Sequence, residues 1–252
     1  MAMLESKKTW VNAMPFFSHN EAEIYYEIHG EGFPLLLIAP GGMRSSIPFW
    51  DKAPWNPIEH LSASYQVIAM DQRNAGKSTA PVTGAENWRT FAGDQVALLD
   101  HLGVQHFHVA GMCIGGPYIM GLIEAVPERV SSAVIFQSIG LENNRDAFYD
   151  LFDGWAAELK PRQPDVSAEQ WEQFKSAMFG DEFLFNVSED FVQACETPLL
   201  VLMGNDLYHP ETTSRKIAAL APNAAFIEHW KEPDYHLSAK SQIEAFLGTH
   251  TP

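Results

Sequence analysis

The chain of 252 residues is 46% hydrophobic and 19% charged, with 32 acidic against 16 basic side chains and a formal net charge of -16. That length and apolar fraction exclude a disordered or collagen-like chain and predict one globular unit with room for an inserted subdomain. The acidic excess, with no basic patch to offset it, argues against nucleic acid and anionic membrane surfaces as partners.

In chain order, Met1 to Trp10 has no apolar run between a basic head and a cleavage site, so no signal peptide is expected. The nearest approach to a basic patch, Glu5-Ser6-Lys7-Lys8, lies in this lead-in. Glu23 to His29 alternates and is rich in aromatic and β-branched residues, which predicts a strand closed by the Gly30-Glu31-Gly32 turn. Leu35–Ile38, Gln66–Met70, Phe107–Ala110 and Ser132–Phe136 are short apolar runs without clean alternation, the pattern of strands covered on both faces. Between them, Phe91, Val96, Leu98, Leu99 and Leu102 predict a helix over Trp88 to Gly103, and a second helix runs from Pro117 until Pro127 stops it.

From residue 141 to 196 the character changes. Trp155, Leu159, Trp171, Phe174, Met178, Phe179, Phe183, Leu184 and Phe185 recur at helical spacings with no strand-like run. The earlier theme resumes with a strand at Leu199–Met203, a helix from Thr212 to Leu220, a strand at Ala225–Glu228 and a helix from Ser238 to Leu247. Alternating strands and helices predict an α/β fold: a mostly parallel central sheet flanked by helices, built from residues 1–140 and 197–252, with a helical cap insertion at 141–196. The longest apolar stretches fall well short of the roughly 20 residues that span a bilayer.

The stretch Val109-Ala110-Gly111-Met112-Cys113-Ile114-Gly115-Gly116 runs a strand straight into a helix through a nucleophile candidate with glycines two residues to either side. A side chain held at so tight a turn needs a strained backbone, and glycines relieve crowding around it. A helix N-terminus and a nearby imidazole would both favour a thiolate at Cys113; the alternative is a small buried apolar residue. Cys113 and Cys195 are too few for a disulfide framework and are read as free thiols of a reducing, cytoplasmic compartment.

With these residues the chain resembles the α/β-hydrolase superfamily, and the cysteine elbow resembles that of dienelactone hydrolases, Gly-x-Cys-x-Gly-Gly. Asp71-Gln72-Arg73-Asn74-Ala75-Gly76-Lys77-Ser78 is similar to the superfamily loop Asp-x-Arg-Gly-x-Gly-x-Ser, with Asn74 in place of a glycine. Asn tolerates left-handed backbone angles, so the loop can survive the change. The resemblance implies the order nucleophile, acid, histidine. His236, in Pro233-Asp234-Tyr235-His236 after the last strand, stands where members carry the catalytic histidine, and Asp206, directly after Leu199–Met203, stands where they carry the acid. Asp234 is the competing carboxylate. His106 and His108 alternate on a strand as structural residues, His101 ends a helix and His250 lies in the tail. Stabilising a carbonyl oxyanion needs two amides: one is assigned to Ile114, the other to Gly42, with Met43 as the fallback, since Pro40 has no N–H.

These readings predict a hydrolase without cofactor or metal, cleaving a small ester, lactone or thioester. Cys113 attacks, His236 moves the proton, Asp206 orients the ring and water resolves the acyl enzyme. Neither His106 with His108 nor Asp206 with His209 offers three metal ligands. Phe148, Phe152 and Trp155 are assigned to the pocket wall, with packing of the cap onto the core as the alternative. Acyl transfer, carbon-carbon bond hydrolysis and non-catalytic ligand binding remain rival functions on such a scaffold. The expected partner is a small-molecule substrate, and homo-oligomer formation is left open.

Overall fold

The computed structural model describes residues 15–252; the lead-in read for a signal peptide, with Glu5 to Lys8, lies outside them. Eight strands form one sheet: β1 (Phe16–His19), β2 (Ala22–His29), β3 (Phe33–Ile38), β4 (Tyr65–Met70), β5 (Phe107–Met112), β6 (Val130–Phe136), β7 (Leu199–Leu202) and β8 (Ala224–Ile227). Their spatial order is β1-β2-β4-β3-β5-β6-β7-β8. The first three in that order pair antiparallel, and every pair from β4 onward is parallel. The hairpin strand β1 has no counterpart in the sequence reading: its alternating, half-exposed edge pattern is too short to stand out.

The helices are α1 (Pro57–Leu61), α2 (Trp88–His101), α3 (Gly115–Ala125), α4 (Arg145–Leu159), α5 (Ala168–Phe179), α6 (Glu189–Gln193), α7 (Glu211–Leu220) and α8 (Pro233–Thr249). The parallel strands are apolar on both faces because both are covered. Leu36 and Ile38 join one core with Phe91, Leu98, Tyr118, Ile119 and Ile217, while Leu35 and Leu37 join the other with Trp50, Leu61, Trp230, Ile243 and Leu247. Period-two strand geometry sorts neighbouring leucines into opposite cores. No helix among the described residues is long and apolar enough to cross a membrane.

Residues 141–196 contain α4, α5 and α6 and no strand. Ser167 and Gln170 form a reciprocal capping box that starts α5. The segment is tied to the rest by Trp155 Nε1 on the Asn74 carbonyl (3.2 Å), Trp88 Nε1 on the Met178 carbonyl (2.8 Å), Asn186 Nδ2 on the Pro117 carbonyl (2.6 Å) and the Arg44–Glu158 ion pair. Three of these four anchor points follow β3, β4 and β5, so the segment is fastened near the C-terminal ends of the strands, where ligands bind in open α/β sheets.

Candidate active site

At the end of β5 the backbone turns sharply. Cys113 takes φ +64°, a left-handed angle rare for a side-chain-bearing residue. The strain is held in place by hydrogen bonds: the Cys113 amide donates to Phe136 (3.0 Å), and its carbonyl accepts from Gly116 and Ile139 (3.1 Å each). A Cβ on Gly111 would stand 3.0 Å from the Gly115 Cα, one on Gly115 3.2 Å from the Ile38 carbonyl, and one on Gly116 2.0 Å from Ser138 Oγ. The three glycines therefore let α3 start directly against β3 and β6. Asn74, where the similar loop has glycine, takes φ +57°.

Cys113 is partly exposed. Burial by itself would raise its thiol pKa, but the net shift is downward. The nearby His209, chiefly through its charge, and the amides of Gly41 and Ile114 favour the thiolate. His209 sits in the loop after β7, with Nδ1 2.7 and 2.8 Å from the two carboxylate oxygens of Asp206. Its Nε2 is buried and makes no hydrogen bond among the described residues, and Cys113 is near enough for its charge to act on the ring. Burial pulls the ring's pKa down, yet the Cys113 thiolate and Asp206 together push it up to about 9. Asp206 moves against its own burial to about 2, held there by His209 and by the amides of His209 and Tyr208. The three shifts point the same way, toward a thiolate, imidazolium and carboxylate in a row.

The local geometry explains how one loop supplies both partners. The Asp206 and His209 amides and carbonyls bond each other reciprocally at 3.2 Å, and the Asp206 side chain also accepts from the Tyr208 and His209 amides. This closed turn folds the ring back over the carboxylate three residues before it. Pro210 then stands at the N-cap of α7, and Ser214 Oγ accepts from the Gly204 amide at 2.9 Å.

Cys113, Asp206 and Ile114 of the sequence-assigned residues meet here; His236 does not join them. It lies in the first turn of α8, which starts at Pro233 where a loop was expected, and its Nε2 bonds the Lys231 carbonyl at 2.7 Å. Proline is favoured at the first helical position, so the helix begins early and carries His236 with it. The second amide at the sulfur is that of Gly41, in place of Gly42 or Met43. Gly41 takes φ +122° and Gly42 φ +58°, with Met43 buried below them, and the turn closes through Arg44 N to Gly41 O at 3.1 Å. Phe148, Phe152 and Trp155 are buried in an aromatic cluster with Trp171, Phe174 and Phe179, which packs α4 against α5. Phe148 also meets the Tyr208 ring beside His209, and Trp155 reaches the loop after β4 through the Asn74 carbonyl. His209 was weighed in the sequence only as a metal ligand; Asp-x-x-His-Pro in a loop after a strand was the available signal.

Relatives share this framework. A protein of Azorhizobium caulinodans named as a carbamate hydrolase, RutD, is 42% identical over 122 residues, which is 48% of this chain and 43% of that one. The match thus spans less than half of that relative's length. Carboxylesterase YbfK of Bacillus subtilis is 21% identical over 80% of this chain and 77% of its own. Among solved structures, the enol-lactonase of Burkholderia xenovorans superposes with a TM-score of 0.68 at 19% identity, covering 93% of this chain and 100% of that chain, a likeness of fold alone. The sequence profile of the α/β-hydrolase fold matches residues 34–197, more than half of the chain. Sheet order, elbow and profile together place this chain in the α/β-hydrolase fold family.

Proposed function

We propose that the protein hydrolyses small activated acyl compounds, namely esters, lactones or thioesters, through a covalent thioester on Cys113, with His209 as acid and base and Asp206 as its orienting carboxylate. The observation that carries this reading is the thiol on a strained elbow facing an imidazole already locked to an aspartate. The relatives named as carbamate hydrolase and carboxylesterase support hydrolysis; the cysteine and the finer likeness to dienelactone hydrolases rest on the Gly-x-Cys-x-Gly-Gly motif alone.

The thiolate attacks the carbonyl carbon, and the oxyanion is received by the amides of Ile114 and Gly41, each such donor worth about 3 kcal/mol. The His209 imidazolium gives its proton to the leaving oxygen or sulfur as the tetrahedral adduct collapses to the thioester. Acylation removes the sulfur's negative charge, one of the two influences raising the ring's pKa, so His209 stays neutral and free to accept a proton at the step that needs a base. It takes a proton from water, hydroxide adds to the thioester carbon, and the thiolate leaves with the carboxylic acid. The helical segment 141–196, fastened near the strand ends, acts as a cap that limits the size of the acyl group.

Turnover of p-nitrophenyl esters and acyl thioesters tests the reading. Cys113→Ala and His209→Ala are expected to lose about 10³-fold or more in kcat/KM, and His236→Ala less than about tenfold. Retained turnover in Cys113→Ala would end the covalent mechanism; the reverse ranking of the two histidines would return the base to His236.

A further inference from the structure

The loop between β8 and α8, which holds no residue of the Cys113–His209–Asp206 row, is built around Lys231. Its ammonium donates to Asn205 Oδ1 at 2.7 Å, and Asn205 immediately precedes Asp206. Its carbonyl is held by His236 Nε2 at 2.7 Å. The preceding residue, Trp230, is buried and donates through Nε1 to the Met203 carbonyl at 2.8 Å, at the start of the loop that carries Asp206 and His209. Lys175 and Lys216 end in carboxylate ion pairs at 2.8 to 3.0 Å. Lys231 has only a neutral amide within hydrogen-bond distance, although Asp206 and Glu232 lie within electrostatic reach. A half-buried ammonium without a paired carboxylate is costly to keep, which suggests a role.

We propose that Lys231 is a positioning residue of the active site: bonded to Asn205 and braced from behind by His236, it fixes the turn that carries Asp206 and His209 and adds a fourth, alternating charge to the row. The inference rests on the Cys113–His209–Asp206 reading above. The sequence of charges becomes thiolate, imidazolium, carboxylate, ammonium. A positive charge beside Asp206 opposes protonation of both His209 and Cys113, so it extends the thiolate to lower pH and keeps the imidazolium from becoming too weak an acid. Burial, opposed by Asp206 and Glu232, lowers the lysine's own pKa. Arg215 on α7 touches Met203 Sδ at 3.7 Å, but it is paired with Glu211 at 2.6 Å and Glu228 at 3.0 Å. Lys231, by contrast, has no carboxylate within hydrogen-bond distance among the described residues. The position that resemblance assigned to the base, His236, serves the same device by anchoring the lysine's backbone.

The test reads ionisation directly. The pH dependence of Cys113 alkylation by iodoacetamide and the NMR titration of the His209 ring are measured in wild type, Lys231→Met, Lys231→Arg and Asn205→Ala. Lys231→Met is expected to move both transitions up by about 0.5 pH unit and slow alkylation about threefold below the thiol transition. Lys231→Arg should stay near wild type, and Asn205→Ala, which frees the ammonium but keeps the charge, should fall between them and remains informative if Lys231→Met does not fold. Unmoved transitions in Lys231→Met, or an arginine variant that behaves like methionine, would overturn the proposal. A higher KM confined to carboxylate-bearing esters, with both transitions in place, would also overturn it by making Lys231 a substrate-anion site. These measurements need no turnover, so a wild-type protein inactive on every acyl substrate would count against the hydrolase reading and leave this one standing.

Discussion

At the residue scale, three groups favour the Cys113 anion against its burial: the His209 ring, which Asp206 holds from behind, and the amides of Gly41 and Ile114. Cys195 offers a built-in control, because burial raises its thiol pKa and no histidine acts on its sulfur, which meets the Thr197 carbonyl at 3.9 Å. Iodoacetamide at pH 7 should therefore label Cys113 first, which peptide mass mapping will show; preferential labelling of Cys195 would contradict an activated elbow. Turnover should hold across neutral pH and fall as pH rises through about 9, where His209 loses the proton that the leaving group needs. His108 gives a different pH signature. It is fully buried between Ser132 Oγ and Thr251 Oγ1, at 2.9 Å each, and burial, with a contribution from His250, lowers its pKa to about 4. The folded pKa lies below the unfolded value of 6.5, so the unfolded chain binds the proton first as pH falls. Stability present above 6.5 is lost between 6.5 and 4, about 3 kcal/mol in all. Urea denaturation at pH 7 and pH 4.5 should show this loss, and His108→Gln should flatten it.

At the scale of elements, the loop after β4 is bound to α2 by a buried ion pair. Arg73 grips Asp94 with two bonds of 2.7 and 2.9 Å, and His19 of β1 adds a third contact to the same carboxylate at 3.0 Å. Asp94→Asn leaves a guanidinium buried without its counter-charge and should cost about 3–5 kcal/mol in a denaturant titration. A loss under about 1 kcal/mol would mean that water reaches Arg73 in the folded state. Strands and long helices were legible because burial on both faces, or on one helical stripe, leaves a pattern in the residues that make it. Trp88 to Gly103 and Leu35 to Ile38 are examples. The start of α8 was misjudged although Pro233 marks it, because the expected position of His236 required a loop there. The aromatic residues of α4 were rightly placed on helices, but Phe152 and Trp155 turn toward α5, a choice that depends on where α5 docks.

At the scale of the whole molecule, a net charge of -16 acts against compaction through self-repulsion. The exposed pairs Arg215–Glu211 and Lys216–Glu189 return little. Raising sodium chloride from about 0.02 to about 0.2 M shortens the Debye length below the spacing of distant surface charges and should raise Tm by a few degrees. A Tm that falls with salt would show that ion pairs outweigh the repulsion. The sequence by itself determined the α/β class and the strand-to-helix elbow at Cys113, and it placed Asp206 directly after β7, because each is written in contiguous residues whose spacing mirrors a local geometry. Tertiary structure alone decided which histidine and which glycine amide face the sulfur. Those choices depend on how a four-residue turn closes at Asp206–His209 and where α8 begins, and ten histidines of one type look alike until folding brings one ring to the thiol.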